Sequence, residues 1–187
     1  MTKAYIVVEG PSDAQILRAL LDETLLEDVK FINGEGKHGA ETLARSLLLD
    51  RQIPVLLVID ADTSNPEAIQ SYQQDLDFLT RSAAVGTPYK ILQAVPTIEA
   101  IFLQDRPLFE QLIGRQFTDL EWHLGQKQPR ELLNQYPEGA LQFIQATLSQ
   151  LTEQTRHTLR QHSLIQNITT FLTTQFHTSD KVARTAS

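Results

Sequence analysis

The apolar residues of the chain fall into two alternating rhythms. Short β-branched runs occur at Ala4-Tyr5-Ile6-Val7-Val8, Val29-Lys30-Phe31-Ile32-Asn33 and Tyr89-Lys90-Ile91-Leu92-Gln93-Ala94, and a longer one, IPVLLVIDAD, spans 53–62. The unbroken stretch from Pro54 to Ile59 predicts a strand buried on both faces, of the kind found in the middle of a parallel sheet. Between these runs the spacing becomes helical. Ile16, Leu17, Leu20, Leu21 and Leu25 predict a helix after Gly10-Pro11-Ser12-Asp13, with Ser12 or Asp13 as its cap. Leu43, Ala44, Leu47 and Leu48 predict a second over 40–49, and Asn65-Pro66-Glu67 opens a third that reaches about Ala84. Pro96 or Thr97 starts a further helical stretch ending near Leu103. Strand–helix alternation argues an α/β domain over 1–104, a Rossmann-like parallel sheet of about four strands joined by right-handed crossovers.

From about Asp105 the texture changes. Strand-like runs stop, Gln becomes frequent, and helical patterns take over at 107–113, 129–136, 139–154 and 156–176. The series Leu141, Ile144, Leu148, Leu151 and the series Leu164, Ile168, Phe171, Leu172 each give one apolar stripe. Residues 105–187 are therefore expected to be a helical region packing on the sheet or on itself, with a tail that frays after His177. No internal repeat is present.

Composition narrows the class. The 187 residues are 41% apolar and 21% charged, enough for one well-buried core. The absence of cysteine excludes disulfides and thiolate metal sites. No apolar run approaches the ~18 residues that cross a bilayer, and Met1-Thr2-Lys3 leads straight into a strand, so no membrane partner and a cytoplasmic location are expected. The net charge is −7 and uneven: residues 1–104 carry 15 acids against 8 bases, and residues 105–187 carry 8 of each. Such a domain lacks the basic footprint of a simple DNA-binding module, although bound divalent cations would reverse the local field.

The acids are where the chemistry points. In an open parallel sheet the ligand lies beyond the carboxyl ends of the strands. Glu9 ends the first predicted strand, Asp60 and Asp62 end the third, Asp13 stands at the mouth of the first helix, and Glu99 follows the fourth strand. Alternation along an extended chain would point Asp60 and Asp62 to one side, where two carboxylates repel by roughly 4 kcal/mol at an effective dielectric near 20. Five carboxylates gathered without basic partners call for hard cations, Mg²⁺ or Mn²⁺. Ordinary turn chemistry at Asp62-Thr63-Ser64-Asn65-Pro66 and an N-cap at Asp13 are the plainer alternatives.

Other motifs add less. The loop Gly34-Glu35-Gly36-Lys37-His38-Gly39 fails the phosphate-loop pattern, with Phe31 where its first Gly belongs and His38 where Ser or Thr belongs. It reads as a glycine-rich turn, in which Lys37 and the Gly36 amide remain candidates for a phosphate contact. His157 and His162 are five apart, which does not bring them to one metal, and His38, His123 and His177 have no partner in sequence, so surface positions are expected for all five. Trp122 is expected in packing, and no Ser-His-Asp order or G-x-S-x-G elbow is present.

VVEGPSD (Val7 to Asp13) and VIDAD (Val58 to Asp62), in this order on predicted strands, resemble the TOPRIM domain over roughly residues 4–103. That domain is shared by topoisomerases, bacterial primases, OLD-family nucleases and small ribosomal RNA maturases. EGPSD, with an acid four residues after the glutamate, and PTIEAIFL, with a Glu after strand four, look most like the OLD-type nuclease and small stand-alone branch. The resemblance implies that Glu9, Asp13, Asp60, Asp62 and Glu99 are the metal ligands or the acid–base set, and that Lys127 in GQKQPRELL is the branch's downstream lysine. It further implies a nuclease that cleaves DNA or RNA with Mg²⁺ or Mn²⁺. Of two cations, Asp60 and Asp62 would hold one, Glu9 would bridge or act as acid–base, and Asp13 and Glu99 would complete the shell of the other. Lys127 or Lys37 would neutralise developing charge. Arg115, Lys127, Arg130, Arg156 and Arg160 could grip a backbone, although a solvated face is the simpler reading for them. An ATPase module would have to come from a separate partner, and the helical half could mediate a homodimer. Two rivals remain: a non-catalytic or partner-dependent subunit, for instance of a defence system, and a haloacid-dehalogenase-type phosphatase, disfavoured because its Asp-x-Asp belongs on a first strand.

Overall fold

A computed structural model describes residues 2–135 and 139–185, without the side chains of 139–141 and 178–185. Four strands, β1 (Ala4–Val8), β2 (Val29–Asn33), β3 (Val55–Asp60) and β4 (Tyr89–Ala94), form one parallel sheet in the order β2-β1-β3-β4. This is the α/β architecture that the strand–helix alternation predicts. All residues of β1 and β3 are buried, as expected of the two central strands, while β2 and β4 are partly open edges. The chain leaves β1 towards one edge and returns past it to β3, so the topological switch lies between the carboxyl ends of β1 and β3.

Alternation along the strands divides the core into two layers. Tyr5, Val7, Val55, Leu57 and Ile59 pack under α3 (Lys37–Arg51) and α4 (Pro66–Ala84). Ala4, Ile6, Val8, Leu56 and Val58 pack under α1 (Pro11–Leu20), the 3-10 turn Ile98–Leu103 and the helices that follow. Those helices are α5 (Arg106–Ile113), α6 (Asp119–Lys127), α7 (Pro129–Asn134), α8 (Gly139–Ser149), α9 (Glu153–Arg160) and α10 (Ser163–Thr185). They complete the sheet's second face: Phe109, Leu133, Ile144, Leu159, Ile168 and Leu172 lie in the same cluster as Ile6 and Leu56.

Several element boundaries differ from the sequence reading. The first predicted helix is two, because the chain turns extended at Leu21 and Asp22 before the short α2 (Glu23–Leu26). The stretch 98–103 is 3-10 rather than α-helical. α6 lies where the sequence pattern predicts no helix: Leu120 and Leu124 are exposed and Trp122 alone of its large apolar residues packs on the core, so no apolar stripe marks it. The single stretches expected at 139–154 and 156–176 are interrupted at 150–152 and 161–162, giving three helices. The helix through His177 continues to Thr185 instead of fraying there; the side chain of Leu141 and those beyond His177 lie outside the described residues.

α3 begins three residues earlier than predicted, directly after Gly36, whose φ of 107° is open to glycine. A Cβ on Gly34 would stand 2.2 Å from the backbone nitrogen of Ala40. The glycines of this loop therefore serve close packing of strand end on helix, and the loop folds back so that the Gly36 N–H donates to the Glu9 carbonyl at 2.8 Å.

Candidate functional site

Glu9 leaves the end of β1 and reaches across the switch point, where its Oε1 accepts the backbone N–H of Asp60 at 2.8 Å. Residues separated by 51 positions are thus joined at one rim. Burial pushes the Glu9 carboxyl above its ordinary value, against the Asp60 amide and Lys37, which favour the charge. Asp60, the last residue of β3, follows the alternation of Leu56 and Val58 and faces the helical layer. It is 3% exposed; Oδ1 accepts the Ile98 N–H at 2.8 Å, and Oδ2 pairs with the Arg130 guanidinium. Burial, followed by the nearby Glu99 carboxylate, raises Asp60 to about 7 in spite of Arg130.

Asp13 and Glu99 complete this group. Asp13 sits in the first turn of α1, where Oδ2 accepts the Gly10 N–H at 2.9 Å and Oδ1 accepts from the Ser12 hydroxyl. The N-cap of α1 is therefore Gly10 and not Ser12 or Asp13, because the helix already begins at Pro11; Asp13, in its first turn, reaches back to the Gly10 amide. It is nonetheless buried, and burial together with Glu99 raises its carboxyl. Glu99, 3% exposed in the 3-10 turn, accepts from Arg130 Nε at 3.2 Å through Oε1, while its Oε2 is buried without a hydrogen-bond partner.

Asp62 departs from the expectation. β3 stops at Asp60, the Ala61 N–H donates to Ala94 O and the Asp62 N–H to Pro96 O, and Asp62 takes a φ of 56°. The period of two therefore ends before Asp62, and the carboxylates of Asp60 and Asp62 answer different cations. Asp62, exposed, meets Lys37 Nζ at 2.6 Å. Lys37 also lies 5.1 Å from the centre of the Tyr72 ring, and Tyr72 donates its hydroxyl to the buried Glu41. Lys37 is thereby held at the acidic rim, with Asp62 as its partner and not a free face for phosphate.

The expectation of carboxylates without basic partners is likewise corrected. Arg130, at the start of α7, answers Asp60 and Glu99, and Lys37 answers Asp62. Among the described residues no three acids or histidines are arranged tightly enough to hold a metal ion. The inventory is still lopsided: Asp60 and Glu99 share one guanidinium, Glu9 has only the field of Lys37 and the Asp60 amide, and Asp13 has the Gly10 amide and the Ser12 hydroxyl. Hard oxygens and the unanswered Glu99 Oε2 are the ligand chemistry that a divalent cation takes, but in this arrangement no three of the acids converge on one point.

Beside the acids runs a groove of about 250 Å³, lined by Asp62, Thr97, Lys127, Gln128 and Arg130. The Thr97 hydroxyl is buried without a partner. Lys127 is exposed on this groove, not within the acid cluster. The other basic candidates are used internally. Arg115 pairs with Glu121 and stacks on Phe117; Arg156 donates to Ala19 O; Arg160 donates to Leu20 O at 2.6 Å and Leu21 O at 3.3 Å.

His38, His123, His157 and His177 are exposed as expected, but His162 is partly buried, its Nδ1 accepting from the Leu164 N–H. Trp122 packs against Phe109 and Phe117. Among the described residues no helix is long and apolar enough to cross a membrane.

No known family's sequence profile matches the chain, and no curated protein does. Among solved structures, the chain is similar to the C-terminal region of the Xanthomonas campestris pv. campestris OLD protein, at 13% identity and a TM-score of 0.47, over 95% of this chain and 99% of that one. A superposition of this quality leaves function to the residues themselves.

Proposed function

We propose that the protein is a divalent-cation-dependent nuclease whose site is the acid cluster at the β1/β3 switch point. The observation that carries the reading is the burial of Asp60 and Glu99 beside Glu9 and Asp13 at the ligand edge of the sheet, with one guanidinium among four carboxylates and Glu99 Oε2 unanswered. So much buried negative charge is costly as architecture alone. Glu9, Asp13, Asp60 and Glu99 would hold the cation, with Asp62 at the rim. Bound there, Mg²⁺ or Mn²⁺ would polarise a phosphodiester and lower the pKa of an attacking water.

The chain's own residues supply the rest. Lys127 and Arg130, which line the groove, draw a phosphate into it. Glu9, whose carboxyl burial raises, is the candidate acid–base of the site. The TOPRIM resemblance of VVEGPSD and VIDAD supports the same chemistry on DNA or RNA. Incubating supercoiled plasmid with Mn²⁺ tests it: wild type should nick, and Asp60→Ala should lose at least about a hundredfold of the rate. Equal nicking by both proteins would refute the assignment.

A second reading, a non-catalytic or partner-dependent subunit, draws on the arginine standing among the acids. Under it, the protein binds Mn²⁺ or nucleic acid but leaves plasmid, single strands and structured RNA intact.

A further inference from the structure

The acid cluster and the groove share one residue. Arg130 donates to Asp60 Oδ2 and Glu99 Oε1 and also lines the groove that holds Lys127 and Thr97. Its partners' side chains are 3% and 4% exposed, whereas its own is 45% exposed. The guanidinium thus enters the cluster from the solvent side. Leu132 and Leu133 are the buried anchors of α7, so the arginine side chain can leave without unpacking the helix. Within the cluster it does an incomplete job, since Glu99 Oε2 stays unpartnered. Thr97, which lines the groove, carries a second unpartnered buried atom, Oγ1.

We propose that Arg130 is an exchangeable internal cation, which neutralises Asp60 and Glu99 in the resting protein and turns into the adjoining groove when a divalent ion takes its place. The inference rests on the cation-dependent reading above and adds the order of events to it. A cation and the guanidinium compete for the same oxygens, so the resting site binds metal weakly. A phosphodiester in the groove gives the displaced guanidinium a bidentate partner. By linkage, occupancy of the groove by phosphate then tightens the metal, and the metal tightens the phosphate by the same factor. The site is self-neutralised until both are present.

Mn²⁺ titration of the full chain without nucleic acid, read from the electron paramagnetic signal of free Mn²⁺, tests the competition. Arg130→Gln should bind Mn²⁺ at least about tenfold more tightly than wild type, and Arg130→Lys, which keeps the charge, should stay close to wild type. Mn²⁺ binding by wild type with equal or weaker binding by Arg130→Gln overturns the exchange and leaves the cation-dependent reading standing. Absence of binding in every protein overturns both.

A second measurement needs no neutral variant. The Arg130 Nε–H resonance of wild type, assigned by its loss in Arg130→Lys, should be protected from solvent exchange without metal and lose that protection as Mg²⁺ saturates. Protection that persists at saturating Mg²⁺ overturns the proposal.

Discussion

Replacing Asp60 by Asn probes the charge balance of the site without touching its shape. The Asp60 carboxyl is raised from 3.8 to about 7 by burial first and by Glu99 second. A raised carboxyl binds its proton more tightly folded than unfolded, so it favours the folded state most at low pH. That contribution is lost as pH climbs from the unfolded value near 4 to the folded value near 7. Between roughly pH 5 and pH 8 the folded protein forgoes about 2 pH units of ionisation that the unfolded chain enjoys, worth about 3 kcal/mol at 1.36 kcal/mol per unit. Glu9 and Asp13 are raised as well, so the protons belong to the cluster, and Asp60 is its most perturbed member. Metal-free wild type should therefore lose stability over this interval, and Asp60→Asn should remove most of the loss. For a chain of this length the difference is about 6–12 °C in Tm at the upper pH, with Asn the more stable. Scanning calorimetry of both proteins in a chelating buffer at the two pH values measures it. A variant less stable than wild type at pH 8 would refute the reasoning, because Asp60 would then be a stabilising anion paired by Arg130.

Two further substitutions test how the fold supports the site. Gly34→Ala drives a methyl into the backbone of Ala40 and should cost more than about 3 kcal/mol in urea unfolding, since backbone cannot yield as a side chain does. Arg160→Ala removes donors from the Leu20 and Leu21 carbonyls and should cost about 1–3 kcal/mol, while Mn²⁺-dependent nicking at a permissive temperature stays within about twofold of wild type.

The sheet was legible because its central strands are buried on both faces, which leaves runs such as Val55–Ile59 with no polar interruption. Glu9 and Asp60 were legible for the same reason, since an acid ending such a run stands at the ligand edge. Asp62 is not legible in this way because alternation presumes an extended chain, and the strand ends at Asp60, two residues before Asp62 turns to a positive φ. Arg130 was visible only as one of several bases in the helical half. Nothing in its spacing ties it to acids 31 and 70 positions away. The signal that could have found it is electrostatic: buried carboxylates in a chain without cysteine need a cation, and a base beside Pro129 at a helix start was available. Arg156 and Arg160 were equally opaque, because donors to backbone carbonyls leave no pattern in sequence.

Those two arginines fix α1 at its C-terminal end. Its first turn carries Asp13 into the acid cluster, and its last carbonyls are held by α9. Ten residues of α-helix are about 15 Å of rod, so the acid cluster takes the position of one of its members from a contact made a helix-length away.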